Sequence, residues 1–170
     1  MTKEQKKVFY GMVIGLTLSI LIIFIGSICD IFHLENTSNK LSIALKALLI
    51  PALFLIISVA RLAKHRFFSS EDINGSGLTN SSQKAKVLQA LIQNTLEQFC
   101  IVLVAYTSWA VTMPITSLSA IVFAAITFGI GRILFFLNYH KGAGARALGF
   151  TLTFYPSVIM IVVVSIYIFI

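Results

Sequence analysis

Charge is what this chain has least of. Asp, Glu, Lys and Arg together make up 11% of its 170 residues, against about a quarter in an ordinary soluble domain. So few charges could not cover a water-facing surface, and a soluble globular fold is excluded. Disorder is excluded from the other side, because 58% of the residues are hydrophobic and mean hydropathy is +0.93; such a chain has far too much apolar surface to stay unfolded. Cysteine is scarce as well. The 2 present, Cys29 and Cys100, lie inside or at the end of apolar segments, with no CxxC and no Cys/His cluster, so neither a disulfide framework nor a zinc site is expected. His33, His65 and His140 sit at segment edges without a second ligand at metal spacing, and no metal is expected. No serine stands in a GxSxG nucleophile motif.

What the chain does have is five long apolar runs, at about 8–32, 41–63, 87–113, 117–139 and 145–170. Each reaches the ~20 residues that a helix needs to cross a bilayer. A β-barrel would show segments of about ten alternating residues instead. The first run follows Lys3, Lys6 and Lys7 as a signal peptide would, but it is too long for one and no small-x-small cleavage site follows. Gly26-Ser27-Ile28-Cys29 has the outline of a lipoprotein signal, with Ile28 too bulky beside the cleavage point. A retained anchor helix is expected.

Basic residues outnumber acidic ones 13 to 6. In a soluble protein this would raise nucleic acid as a partner; here the cations flank the apolar runs, as the positive-inside rule places them, and no nucleic acid is expected. Lys3, Lys6 and Lys7, then Arg61, Lys64, Arg66, Lys84 and Lys86, then Lys141 and Arg146 mark one side. Asp30, Glu35, Lys40 and the uncharged Pro114-Ile115-Thr116 mark the other. The alternation implies five crossings with the N-terminus in the cytoplasm, and the short loops suggest a bacterial inner membrane. The one sizeable loop, 67–83, contains Asp72-x-Asn74-x-Ser76-Gly77, the opening of a calcium loop. Its twelfth position is Gln83 rather than a bidentate Glu, so it reads as a plain polar loop.

Polar side chains within apolar helices are costly and need a reason. The third run holds the densest set, Gln93, Asn94, Thr95, Glu97 and Gln98. Asn94 and Glu97, three apart, share a helix face. Arg132, in the fourth run, is at a similar depth, so an ion pair between Glu97 and Arg132 is expected, either as a helix-to-helix lock or as part of a site. Arg146 follows the tight turn Lys141-Gly142-Ala143-Gly144-Ala145; spacing alone favours an anchor to lipid headgroups.

Taken together these positions resemble the MAPEG family, the membrane-associated proteins of eicosanoid and glutathione metabolism. Gln93-Asn94-Thr95-Leu96-Glu97-Gln98 is similar to the family's Asn-x-x-Glu signature. Gly131-Arg132-Ile133-Leu134-Phe135-Phe136-x-x-Tyr139, followed by Arg146 after a glycine-bearing turn, and Val59-Ala60-Arg61 add to the likeness. It covers about 41–170. The resemblance implies an all-α membrane protein, a four-helix transmembrane bundle assembling as a homotrimer, preceded here by one additional N-terminal helix. Residues 1–40 would then be an anchor helix with its outside loop, and 41–170 the family domain. It implies a glutathione-dependent transferase or peroxidase acting on lipophilic electrophiles, with glutathione or a related thiol as cosubstrate, bound between subunits near the cytosolic face. Arg146 matches the arginine that stabilises the thiolate. Asn94, Glu97, Tyr139, Arg61 and Arg132 match positions at the glutathione site.

The chain also departs from the family pattern. Ala90 stands where an arginine is expected, Gln98 where a tyrosine is expected, and Phe135 lacks the hydroxyl often found at its position. These departures keep a second reading open, a non-catalytic protein of the same fold that binds lipid or serves assembly. A transporter using Glu97 and Arg132 is a third, set back by the lack of a broken helix or inverted repeat.

Overall fold

A computed structural model describes residues 1–34, 39–75, 78 and 80–170. Among them the regular structure is entirely helical: α1 (Lys3–Ile28), α2 (Lys40–Ala47), α3 (Leu49–Phe67), α4 (Gln83–Thr112), α5 (Ser119–Asn138) and α6 (Ala143–Phe169). Helices α2 and α3 run on as one span, Lys40–Phe67, so five spans are long and apolar enough to cross a membrane. The protein is a multi-pass integral membrane protein, a four-helix bundle with one further helix ahead of it.

Local chemistry explains where the helices begin and break. The Thr2 hydroxyl accepts from the Gln5 amide while the Gln5 side chain accepts from the Thr2 amide. This capping box starts α1 several residues ahead of the apolar run. Asn39 caps α2 and Ser82 caps α4 in the same way. The break between α2 and α3 follows from Pro51, which has no N–H to offer the carbonyl of Ala47 and whose ring crowds that carbonyl. Ala47 is the last residue of α2.

The helices alternate in direction. One end of the bundle gathers the start of α1, the 68–82 loop and the short 3₁₀ turn Tyr139–Lys141; it carries most of the cations and is called the basic end below. At the other end, the Lys40 ammonium donates to the Met113 carbonyl at 2.7 Å and the Ser119 hydroxyl to Asp30 at 3.1 Å.

Small residues set the packing, as expected where lipid removes the hydrophobic drive between helices. Gly11, Gly15, Ser19, Ile23 and Gly26 form the buried stripe of α1. A Cβ at Gly11 would lie 2.9 Å from the Ala147 Cβ of α6, and one at Gly26 would lie 2.6 Å from the Ala120 Cα of α5. Helices α5 and α6 touch through Gly131 and Gly149, where an added Cβ on Gly149 would meet the Phe135 amide nitrogen at 2.5 Å. The core proper lies toward the end away from the cations, around Tyr106, Trp109, Leu118, Ile121, Phe128 and Met160. The basic half is more polar and less filled.

Candidate functional site

The less-filled half holds a cleft of about 640 Å³ between α1, α4, α5 and α6. Helix α4 contributes Ala90, Gln93, Asn94 and Glu97, and α5 with its following turn contributes Phe135 and Tyr139. Helix α6 contributes a face running from Ala143 through Arg146, Phe150 and Phe154 to Tyr155, and α1 contributes Val8 and Met12. At 1.5 Å per residue, Ala143 to Tyr155 spans about 18 Å. The cleft therefore runs from the basic end along about half of α6.

Four residues singled out in the sequence meet here: Asn94, Glu97, Tyr139 and Arg146. The Arg146 guanidinium carbon lies 4.2 Å from the centre of the Tyr139 ring. No carboxylate among the described residues is within ion-pair distance of it. Its charge is therefore held by an aromatic face and left available to a ligand. Tyr139 packs edge-on to Phe135, 5.4 Å between centroids, which fixes the ring beneath Arg146. Glu97 accepts from the Gln93 side chain at 2.9 Å, one turn along α4, and both are exposed on the isolated chain.

Arg132 lies behind this cleft rather than in it. It is 0% exposed. Its Nη1 donates to Asn94 Oδ1 at 2.9 Å and to the Thr95 hydroxyl at 3.4 Å, and its Nη2 donates to the Thr153 hydroxyl at 2.7 Å. The guanidinium also stacks on Phe135 and Phe128, 4.8 and 5.4 Å from their centroids. The expected Glu97–Arg132 ion pair is thus replaced by a set of hydrogen bonds joining α4, α5 and α6. The depths of the two residues matched, but their directions did not: Thr95 and Gln98 face the interior of α4 while Glu97 faces outward. Arg132 acts on the cleft indirectly, by turning Asn94. Thr153, its shortest partner, carried no signal in the sequence, because an isolated threonine in an apolar helix looks like any other.

Arg61 lies elsewhere on its own chain. It stacks over Phe136 at 5.4 Å and lines a separate hollow of about 320 Å³ with Lys64, His65 and Lys84. Ala90 and Phe135, two of the departures from the family pattern, do line the cleft. The third, Gln98, is buried between helices.

The described residues of the 68–82 segment are organised by Asp72, and none of them lines the cleft. The Asp72 carboxylate accepts from the Ser82 hydroxyl (2.6 Å) and amide (2.9 Å) and from the Ser69 hydroxyl (3.3 Å), and it meets His65 Nε2 at 2.8 Å. The Ser82 hydrogen bonds, more than any other influence, lower its pKa to about 2. Ser76 and Gly77, the centre of the calcium-like spacing, lie outside the described residues. Among those described, no three His, Cys, Asp or Glu converge on a metal position.

Comparison with known proteins places these features in one family. No match was found among curated proteins or among solved structures. The model of the MAPEG family matches residues 41–166, which takes in α2 to α6 and leaves α1 outside. The chain belongs to the MAPEG family.

Proposed function

We propose that the cleft binds glutathione or a related thiol and that the protein is a membrane-embedded transferase, or a peroxidase of the same type, acting on lipophilic electrophiles. The observation that carries this reading is the Arg146 guanidinium, laid on Tyr139 with no carboxylate partner among the described residues, in the same cleft as Asn94 and Glu97. A free thiol has a pKa of about 8.5, so only a few per cent is thiolate at neutral pH. A cation beside the sulfur stabilises the thiolate and raises that fraction. The thiol proton leaves to water, and the sulfur attacks an electrophilic carbon delivered from the bilayer, either displacing a leaving group that departs with its bonding pair or adding to a double bond whose far end then takes a proton from water. Glu97 suits the ammonium of a γ-glutamyl group, and Asn94, its carbonyl held by Arg132, is left with its amide hydrogens to donate.

The outward face of α4 supports a trimer. It shows Gln89, Gln93 and Glu97 on the isolated chain, and such groups at membrane depth call for cover by protein or water. In a trimer a neighbouring copy supplies that cover, and Arg61, outside its own cleft, is assigned to the neighbour's. The cytoplasmic placing of the basic end, in a bacterial inner membrane, belongs to the same proposal and rests on the positive-inside rule.

Calorimetric titration of the detergent-solubilised protein with glutathione tests the reading. Binding at millimolar glutathione or below, together with a conjugation rate that Arg146→Ala removes, is expected; no binding in that range overturns it. The second reading, a non-catalytic protein of the same fold, is favoured by Ala90 and Phe135, which place apolar side chains on the cleft wall. A measurable conjugation rate would dismiss it.

A further inference from the structure

Helix α1 lies outside the segment that matches the family, yet it forms part of the cleft. Its register places it beside the reacting end. Gly11 packs on Ala147, where an added Cβ would come within 2.9 Å of the Ala147 Cβ, so Met12 stands at the level of Arg146 and Ala147. Val8 is one turn nearer the basic end. Both side chains line the cleft. The position of α1 is fixed twice over. The small-residue stripe holds it along α6, and Glu4 Oε1 accepts from the Gly144 amide at 2.7 Å in the first turn of α6, where a carboxylate also suits the helix dipole. A second hollow of about 420 Å³ lies on the flank of α1 and shares Val8, Met12 and Ala143 with the cleft. These residues therefore stand between two neighbouring hollows, one of which is lined by Arg146.

We infer that Val8 and Met12 select the lipophilic acceptor, by packing the alkyl tail of an electrophile whose reactive carbon faces the sulfur near Arg146. The inference rests on the thiol-transferase reading above and adds the residues that choose the acceptor. The tail runs across Met12, whose unbranched side chain adapts to it, toward the second hollow. With an α,β-unsaturated aldehyde as the probe, the thiolate sulfur bonds to the β-carbon. The C=C π pair moves to form the enolate, and the enolate takes a proton from water. The net change is addition of S–H across the double bond, with no leaving group and no further reactant.

The test uses the full chain in lipid nanodiscs, with glutathione and two enals, the short propenal and the long trans-2-nonenal. Met12→Trp, which narrows the passage, is expected to lower kcat/KM for 2-nonenal by about tenfold or more, the scale on which apolar pockets discriminate. Propenal is expected to change by less than about twofold, with glutathione affinity unchanged. Met12→Ala, which removes bulk without crowding α6, is expected to lower the 2-nonenal to propenal ratio through lost contact with the tail, and covers the event that Met12→Trp does not fold. A ratio unmoved by both variants, or equal losses for the two enals, overturns the inference and leaves the transferase reading standing. A wild-type protein that binds glutathione but adds it to neither enal overturns the inference. One that does not bind glutathione overturns both.

Discussion

Two arginines from the family-like pattern sit on neighbouring helices and have opposite surroundings. Arg132 is sealed between α4, α5 and α6, with hydrogen bonds to Asn94, Thr95 and Thr153. Arg146 faces an open cleft, and the closest partner of its charge is the ring of Tyr139. In a bilayer both charges are costly, and the protein meets the cost differently. Around Arg132 both Nη groups are hydrogen-bonded within the chain, leaving only Nε without a partner among the described residues, which makes it a strut. Around Arg146 no carboxylate among the described residues is within ion-pair distance, which under the proposed function makes it the site. The sequence motif does not separate the two roles; their neighbours do.

The comparison can be broken from either side, and the largest effect is expected at Arg146. Arg146→Ala should lower kcat/KM for thiol conjugation by about a hundredfold, the scale of losing one group aimed at developing charge. Its melting temperature in detergent should stay near that of the wild type. Arg132→Ala should do the reverse in kind. It removes the donor to the Asn94 carbonyl oxygen and opens a cavity between three helices, so stability should fall by about 3 kcal/mol, read by thermal melting followed by circular dichroism. Equal melting temperatures for the two variants would erase the distinction between strut and site.

Smaller effects sharpen the picture around these two residues. Gly11→Val should push α1 from α6 and cost about 1–3 kcal/mol, as overpacking does, with the loss again read by melting. The smallest effect is expected in the 68–82 loop. Asp72 titrates at about 2 in the folded protein against 3.8 for an ordinary carboxyl. Because the folded value is depressed, its stabilisation of the loop is complete above about pH 4 and is lost as pH falls toward 2. Hydrogen exchange of the Ser82 amide should be protected at pH 5 and lose protection through that window, and Asp72→Ala should remove the pH dependence.

Much of the fold is legible in the sequence because hydrophobic length alone decides it. The five runs differ from the five spans by a few residues at each end, where caps such as Thr2 and Ser82 start the helix before the apolar stretch begins. Pro51 is visible in the sequence, but the break it makes between α2 and α3 needs the carbonyl of Ala47 to be seen. The candidate site is legible in part. Asn94, Glu97, Tyr139 and Arg146 stand out as polar groups among apolar ones, and they line one cleft. Pairing Glu97 with Arg132 failed because sequence position gives depth in the membrane and not the direction a side chain points once helices pack. Val8 and Met12 were invisible, since an aliphatic residue in a spanning helix looks the same whether it faces lipid or a cavity.

The central claim is that the unpaired charge of Arg146 serves a bound thiolate. Ultraviolet difference spectroscopy of glutathione with the solubilised protein at neutral pH tests it most directly, because thiolate absorbs where thiol does not. The account expects a thiolate band with the wild type that is lost in Arg146→Ala and kept in Arg61→Ala. Glutathione bound wholly as thiol, or a band that survives removal of Arg146, would contradict it.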